Sequence, residues 1–269
     1  MKTLWVIPTP IGNISDVSDR MRAVLASVDV LLCESLSKTK LLYKLLEIQP
    51  PKLIRYWQKT EQTVIQGLSS LPDSVGLISD AGMPCISDPG YLLVSACYDA
   101  GWKVSALPGP SALVVAVAMS GIACDAFQFM GFLPPKSSAC QERLQRLRGL
   151  GVSGVLYESP RRVVRLCEDI QEVFGENHQV CVMRELSKKF ETCYRGPISE
   201  VIKQLSKTVI KGEFCVVIDK AVPVPRWHSD AVLLSSYLST SDAATVCAKM
   251  HQVSKTAVYQ YLLSYQEKH

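Results

Sequence analysis

The sequence predicts an α/β protein with two α/β domains and a small helical unit towards its carboxyl-terminal end. Short apolar segments alternate with helical patterns over residues 1–118, which is typical of a mainly parallel sheet. A second series of strands and helices follows over residues 119–222. Two prolines within Val222–Pro225 predict an extended linker, and the last segment, residues 223–269, combines this linker with a small helical unit from Leu233 onward.

Strand and helix patterns alternate along the first domain. The predicted strands cover residues 4–7, 29–33, 75–79 and 103–107, and the predicted helices cover residues 18–26, 38–46, 90–100 and 111–119. Parallel strands that are joined through helices place their carboxyl ends at one edge of the sheet. The loops that follow these strands are therefore expected to lie close together.

The second domain has four predicted strands and three predicted helices. The strands lie near residues 127–132, 154–157, 179–184 and 213–219, and the helices near residues 139–149, 160–173 and 197–205. In the last segment, Ser241 and Asp242 are typical of a helix start, and Ser254 of a second one, with Val258, Tyr261 and Leu262 facing inward. Such a pair of helices fits either a helix-turn-helix that docks on nucleic acid or an arm for packing or dimerisation.

The most informative segment is the loop after the strand at 75–79, which reads Ser-Asp-Ala-Gly-Met-Pro-Cys-Ile-Ser-Asp-Pro-Gly over residues 79–90. It holds more turn-forming residues than a simple connection needs. Loops 8–13 and 108–112 follow two other strands and have the same character. Neither the G-x-G-x-x-G nor the G-x-x-x-x-G-K pattern occurs in them, so a ligand other than NAD or ATP is expected. The alternative is a set of rigid surface turns.

Several segments carry a family resemblance when they are taken together. They are Thr9–Asn13, Ser79–Gly82, Ile86–Gly90, Leu107–Ala112, Gly131–Pro134, Tyr157–Pro160, Arg184–Lys188 and Lys211–Glu213. This set resembles the motifs of the tetrapyrrole-methylase-like enzymes. Within them it is most similar to the branch that methylates a ribose 2′-hydroxyl of small-subunit (16S) ribosomal RNA. The resemblance implies S-adenosylmethionine (SAM) as cofactor, bound in the cleft between two α/β domains, a homodimer, and a cytidine of 16S ribosomal RNA as substrate.

Candidate cofactor residues follow from the chemistry of SAM, which needs acceptors for its amino groups, N–H donors for its carboxylate and an apolar slot for adenine. The carboxylates of Asp80 and Asp88 and the N–H groups of the loop between them suit the methionine and ribose end, although both acids could instead stabilise the turn. The full set of candidates is Pro10, Asp80, Ala81, Gly82, Met83, Asp88, Ser111, Ala112, Phe132 and Leu133.

Two residues are candidates for removing the proton from the ribose hydroxyl. Glu34 ends the second predicted strand at the same edge of the sheet and could accept the proton or hold the ribose. Lys188 follows the strand at 179–184 and could contact phosphate or act as a base if it is desolvated. The alternatives are an acid at a helix start for Glu34 and a surface charge for Lys188.

Two segments depart from the family pattern. The family usually carries Glu-Asp-Thr-Arg where this chain has Glu34–Ser37, although Thr39 matches further on, and Tyr-His-Glu-His-Asn-Glu where it has Tyr56–Glu61. We expect SAM binding to survive, with a shift in substrate or in catalytic strength. Trp57 could stack on a base or pack in the core. The alternatives to the RNA methyltransferase are a methyltransferase for a small molecule or protein and a weakly catalytic RNA-binding protein.

The composition fits a cytoplasmic globular protein. Apolar residues make up 48% of the 269 residues and charged residues 20%, and neither a membrane span nor a secretory signal is visible. The ten cysteines and four histidines do not have metal-site spacing, so reduced thiols and no metal are expected. The net charge of +4 is mild, but seven basic residues against two acidic ones between Lys136 and Arg165 fit either phosphate contact or a solvated helix face.

Overall fold

A computed structural model describes residues 1–221 and 227–266, so the predicted linker Val222–Pro225 lies outside the described residues. The described chain divides into two compact units. The first contains Met1–Leu147 and Val152–Lys220 and holds both five-stranded sheets; the second contains Arg148–Gly151 and the described chain from Ala221 onward. Each α/β domain has its own five-stranded sheet. The boundaries at residues 118 and 222 stay predictions.

The first sheet is entirely parallel, with the strand order β3-β2-β4-β1-β5. Its strands are β1 (Thr3–Val6), β2 (Val30–Cys33), β3 (Lys52–Arg55), β4 (Ser74–Ile78) and β5 (Lys103–Ala106). The helices between and after them are α1 (Asp19–Ser27), α2 (Leu36–Leu45), α3 (Glu61–Gln66), α4 (Tyr91–Asp99) and α5 (Ala112–Ser120). Helices α1 and α2 pack on one face of the sheet, and α3 and α4 pack on the other.

The second sheet is mixed, with the strand order β6-β7-β10-β8-β9. Its strands are β6 (Phe127–Gly131), β7 (Ser153–Glu158), β8 (Gln179–Arg184), β9 (Thr192–Pro197) and β10 (Phe214–Ile218). Its helices are α6 (Ser137–Leu150), α7 (Val163–Phe174) and α8 (Ile198–Leu205). Strand β10 is antiparallel to β7 and β8, and β6 is parallel to β7. The carboxyl ends of β6, β7 and β8 therefore lie at the edge where β10 begins.

Helix α5 packs on the second sheet, although its sequence pattern places it in the first domain. Its buried Ala116 lies in one core cluster with Val155 of β7, Met183 of β8 and Val217 of β10. The small apolar side chains of this helix allow close packing against the side chains of the sheet. Ile11, from the loop after β1, belongs to the same cluster, so the two sheets are tied together at this point.

The second unit contains three described helices, α9 (Trp227–Ser235), α10 (Thr240–His251) and α11 (Lys255–Gln266). The Ser239 side chain accepts a hydrogen bond from the N–H of Asp242, so α10 begins earlier than the sequence predicts. Val258 and Leu262 are fully buried as predicted, and Tyr261 stacks on His228 with ring centroids 3.8 Å apart.

Four elements are absent from the sequence prediction: β3, β9, α3 and α9. Strand β3 is a four-residue edge strand, and β9 ends in Gly-Pro, which weakens its strand pattern. Helix α3 has only six residues. The other predicted elements of the two α/β domains are found, with ends shifted by up to three residues.

The loops after β1, β4 and β5 meet beyond the edge of the first sheet. Thr9 and Gly82 exchange two backbone hydrogen bonds of 2.9 Å, so the loops after β1 and β4 pair like short antiparallel strands. The third loop approaches through Gly109, where a Cβ atom would lie 2.4 Å from the Pro8 ring. Only glycine allows this approach, because the proline ring cannot move aside.

Two glycine-to-alanine changes test this contact, and they should change the free energy of unfolding in opposite directions. Gly109→Ala should lower the free energy of unfolding by about 1–3 kcal/mol, because the added methyl overlaps a rigid ring. Gly149→Ala is the matched control: Gly149 lies in α6 with nothing within 4 Å of the new Cβ. It should raise stability by about 0.5–1 kcal/mol through helix propensity. Urea unfolding followed by tryptophan fluorescence measures both; equal effects of the two changes would contradict the packing argument.

Candidate functional site

A cavity of about 450 Å³ lies where the carboxyl ends of strands from both sheets meet. From the first sheet it is lined by Ile11, Glu34, Asp80, Ala81, Gly82, Met83, Ile86, Ser87, Asp88, Ser111 and Ala112. From the second sheet it is lined by Phe132, Tyr157, Glu158, Ser159, Pro160, Leu186, Gly212, Glu213, Phe214 and Cys215. This position agrees with the rule that open α/β sheets bind ligands at the carboxyl ends of their strands.

The loop after β4 has an unusual backbone. Gly82, Cys85, Ser87 and Gly90 all have positive φ angles, of 82°, 69°, 64° and 143°. Left-handed conformations at Cys85 and Ser87 cost energy, and such strain is typical of functional sites. A Cβ on Gly131 would lie 3.0 Å from the Ser87 hydroxyl oxygen, so the loop also approaches the end of β6.

The cavity is strongly acidic. Its described lining includes five carboxylates and no lysine or arginine; the acids are Glu34, Asp80, Asp88, Glu158 and Glu213. Burial raises the pKa of Asp88 to about 6, against the opposing effect of a hydrogen bond from Ser79, and the charges of Glu34 and Asp80 add to the rise. A cation bound here would replace part of the missing hydration and counter-charge.

Asp80 is fixed in place by groups from the start of α2. Its carboxylate accepts a hydrogen bond of 3.1 Å from the N–H of Ser35 and lies 2.8 Å from the ammonium of Lys38. One side of its side chain is thus held by α2 while the other faces the cavity. Asp80 therefore combines a structural role with a place in the lining.

An aromatic wall closes the cavity on the side of the second sheet. The ring of Tyr157 packs edge-on against Phe129 and Phe132, with centroid distances of 5.0 and 5.9 Å. Its hydroxyl oxygen accepts a hydrogen bond of 3.0 Å from the N–H of Leu113 in the first turn of α5. Burial raises the pKa of Tyr157 to about 12, so its hydroxyl is neutral at physiological pH. Phe132 is 58% exposed and offers its ring to a ligand.

Glu158 is buried, and its charge is balanced by Arg162. One carboxylate oxygen accepts a hydrogen bond of 2.7 Å from the N–H of Ser159. The other lies 3.0 Å from the Arg162 guanidinium but outside the direction of a hydrogen bond. The same guanidinium donates to the backbone oxygen of Leu133 at 2.7 Å. Arg162 thus joins the loop after β6 to the loop after β7.

Lys188 lies beside the cavity and not in its lining. Its ammonium is 2.8 Å from the carboxylates of both Glu185 and Glu213. Partial burial opposes its charge, but the hydrogen bonds to the two acids outweigh this and raise the pKa of Lys188 above its usual value. The lysine is therefore charged at neutral pH, which does not favour a role as proton acceptor. Its stem also fills the place where a Cβ on Gly12 would lie, 2.3 Å from the Lys188 Cγ.

Of the twelve residues predicted from the sequence, nine line this cavity: Glu34, Asp80, Ala81, Gly82, Met83, Asp88, Ser111, Ala112 and Phe132. Leu133 is only 3% exposed and belongs to the core of the second domain, because the chain alternates sides after Phe132. Pro10 lines a second cavity, described below. Lining residues that the sequence prediction missed include Tyr157, Glu158 and Glu213; all three lie in segments that carry the family resemblance.

The two segments that depart from the family pattern keep their structural residues. The Tyr56 hydroxyl donates to the buried carboxylate of Glu61, and the Thr39 hydroxyl donates to the backbone oxygen of Ser35. Trp57, in the segment between Tyr56 and Glu61, is half-buried. The cations of Arg55 and Lys59 lie 4.6 and 5.2 Å from the centre of its ring. It is thus neither a core residue nor part of the cavity lining.

The described residues contain no group of metal-ligating side chains, and no described helix is both long enough and apolar enough to cross a membrane. All ten cysteines are free thiols.

Comparison with known proteins identifies the family. The family model for Tetrapyrrole (Corrin/Porphyrin) Methylases matches residues 3–202. The ribosomal RNA small subunit methyltransferase I of Vibrio cholerae is 36% identical over 271 residues, which cover 96% of this chain and 93% of that protein. The protein of the same name from Escherichia coli O157:H7 is 34% identical, covering 98% of this chain and 95% of that protein.

Solved structures share the fold at low identity. A diphthine synthase is 12% identical with a TM-score of 0.62, covering 81% of this chain and 90% of that one. The Thermus thermophilus uroporphyrin-III C-methyltransferase, solved in complex with S-adenosyl homocysteine, is 15% identical with a TM-score of 0.54, covering 81% of this chain and 97% of that one. The chain therefore belongs to the tetrapyrrole methylase family of SAM-dependent methyltransferases, in the group named ribosomal RNA small subunit methyltransferase I.

Proposed function

We propose that this chain transfers a methyl group from SAM to the ribose 2′-hydroxyl of a cytidine in 16S ribosomal RNA. The observation that carries the proposal is the acidic cavity at the carboxyl ends of both sheets, in a chain whose relatives bear the name of small-subunit ribosomal RNA methyltransferases. The homodimer and the cytoplasmic location that the family resemblance implies are part of the same proposal.

The lining fits SAM by size and by charge. A volume of about 450 Å³ lies within the range of roughly 300–1,000 Å³ that is typical of small-molecule sites. The ammonium and sulfonium groups of SAM are cations, which suit the five carboxylates, and Phe132 and Tyr157 offer an apolar wall for adenine. Ala81, Gly82 and Met83 bring backbone groups to the cavity.

When bound, SAM supplies a methyl group on a sulfonium, so that an O–CH3 bond forms and the S–CH3 bond breaks. The protein then has two tasks, to hold the hydroxyl in line with the methyl group and to take up its proton. Glu34 is placed for the second task, because it is half-buried at the end of β2 and lines the cavity beside Asp80. Asp80 and Asp88 provide negative potential around the donor. Lys188 positions Glu185 and Glu213 through its two ion pairs.

Basic residues at the rim of the second domain suit the RNA backbone. Lys136 and Arg161 are exposed and Arg165 is on the same stretch; Lys136 follows the exposed ring of Phe132 by four residues, and Arg161 follows the lining residue Pro160 directly. Exposed cations and an exposed aromatic ring in neighbouring segments of the chain suit a contact with single-stranded RNA. Of the two interpretations of the Lys136–Arg165 stretch, this position therefore favours a contact with phosphate and not a merely solvated helix face.

Methyl transfer can be tested on small ribosomal subunits from a strain that lacks the gene. Radiolabel from SAM should enter a ribose 2′-oxygen of a cytidine, which mass spectrometry of nucleosides identifies. Glu34→Gln should lower kcat by about 10²–10⁴-fold, the contribution of a proton acceptor, and raise the Kd for SAM far less, because four carboxylates remain in the lining. The control is Glu168→Gln on the exposed side of α7, which should leave kcat unchanged. Label on a base, or in no RNA at all, would contradict the proposed function.

The raised pKa of Asp88 predicts a pH dependence of SAM binding. Above a pKa of about 6 this carboxyl is charged and attracts the donor; below it the carboxyl is neutral and the attraction is lost. We expect the Kd for SAM, measured by calorimetry, to rise by about fivefold from about pH 7.5 to about pH 5, which corresponds to a shift of one pKa unit on binding. Asp88→Asn should remove this dependence, and Asp99→Asn, at the end of α4, should keep it. If the pH dependence of the Kd for SAM persists in Asp88→Asn, another group is the one that titrates.

The rim cations predict a salt effect. Arg161→Gln with Arg165→Gln should weaken binding to the small subunit and reduce the slope of log affinity against log salt by about 0.7–0.9 for each phosphate that is no longer neutralised. The control pair is Lys52→Gln with Lys103→Gln, which removes the same charge from the first residues of β3 and β5. These residues lie at the amino ends of the strands, whereas the cavity lies at the carboxyl ends. Equal slopes for both pairs would show a general charge effect without local contact.

A further inference from the structure

A second cavity of about 480 Å³ lies beside the first and shares Asp80 with it. Its walls come from the loop after β1 and from helix α2. It is lined by Thr9, Pro10, Gly12, Asn13, Ile14, Lys38, Thr39, Leu41, Leu42, Leu45 and Asp80. Leu41 and Leu45 are 55% and 57% exposed, which is unusual for leucines on a helix that packs on a sheet.

The boundary between the two cavities is charged and ordered. The ammonium of Lys38 lies 2.8 Å from the Asp80 carboxylate, and the backbone pair of Thr9 and Gly82 joins the two loops next to it. The hydrogen bond to Asp80 raises the pKa of Lys38 above its usual value, and the charges of Glu34 and Glu213 contribute to the rise. Lys38 is thus within electrostatic reach of carboxylates that line the first cavity.

The two cavities differ in chemistry. The first has five carboxylates and no cation in its described lining, so it repels a phosphate. The second has a single carboxylate, already paired with Lys38, whose side chain is 67% exposed and able to contact a further anion. The remaining wall offers apolar surface from Pro10, Leu41 and Leu45. Apolar surface beside one accessible cation suits a nucleobase that carries a phosphate.

We propose that the second cavity holds the acceptor nucleotide, with its base against Pro10, Leu41 and Leu45 and its phosphate near Lys38. This inference rests on the proposed function. Methyl transfer needs the acceptor oxygen next to the donor methyl, so the acceptor site must open onto the donor site. The shared Asp80 and the nearby Glu34 meet this requirement.

Charge placed inside the second cavity tests the proposal. Leu45→Glu and Leu41→Glu should each raise the KM for small subunits at least about tenfold, because the new carboxylate repels phosphate and removes apolar contact. The Kd for SAM, from calorimetry, should stay as in the wild type. Both leucines are largely exposed, so the fold tolerates these changes. The control is Tyr98→Glu. Tyr98 is 62% exposed and lies on α4, which packs on the opposite face of the sheet, so this change should leave KM unchanged.

Lys38 gives an independent variant. Lys38→Met should raise the KM for small subunits, and Lys38→Arg should restore it, because a cation near the phosphate is what the site requires. A change in SAM affinity with no change in KM would assign Lys38 to the donor site and overturn the proposal. A wild-type KM in Leu45→Glu would also overturn the proposal.

A binding probe separates this inference from the proposed function. Cytidine 5′-monophosphate, detected by saturation-transfer NMR in the presence of S-adenosyl homocysteine, should bind the wild type saturably and should not bind Leu45→Glu. If the wild type transfers no methyl group to RNA, the proposed function fails, and this probe still decides whether the cavity takes a nucleotide. Absence of binding to the wild type overturns the inference. Dissociation of an oligomer by Leu45→Glu, measured by sedimentation, would assign this face to a second copy of the chain and overturn it as well.

Discussion

The backbone pairing of Thr9 with Gly82 is the interaction on which the rest of the site depends. It extends the contact between β1 and β4 beyond the sheet and fixes the loop at 79–90 against the loop after β1. Left-handed residues in the first of these loops turn its carboxylates and backbone towards one cavity. Without this pairing, the strained conformations at Cys85 and Ser87 would be free to relax, because strain of this kind persists only where the surrounding structure holds it.

Separation of charge is the second organising feature. Negative charge is concentrated in the cavity at the carboxyl ends of both sheets, and three cations around it are each bound to one of its acids: Lys38 to Asp80, Arg162 to Glu158 and Lys188 to Glu213. Those ion pairs hold the carboxylates in place, while the salt-bridged lysines remain partly accessible from outside. Such an arrangement of charge repels a phosphate from the interior of the cavity and attracts it to the margin.

The departures from the family pattern have a physical explanation in this fold. In the segment Tyr56–Glu61 the two matching residues form a buried hydrogen bond, whereas the residues between them are half-buried or exposed. In the segment after β2, Thr39 is buried and bonded to the first turn of α2, whereas Leu36 and Ser37 are exposed. The matching residues Tyr56, Glu61 and Thr39 are buried and hydrogen-bonded, and the residues that differ are half-buried or exposed. The cavity lining on the first sheet therefore persists although its neighbourhood differs.

The sequence alone determined the alternation of strands and helices and the three loops that gather at one edge. Those features depend on local periodicity and turn chemistry, which short stretches of chain specify by themselves. The tertiary structure decided which residues meet across the chain. It placed α5 on the second sheet, Leu133 in the core, Pro10 in the neighbouring cavity and Lys188 between two acids. Such pairings depend on packing between segments far apart in sequence, and no local pattern encodes them.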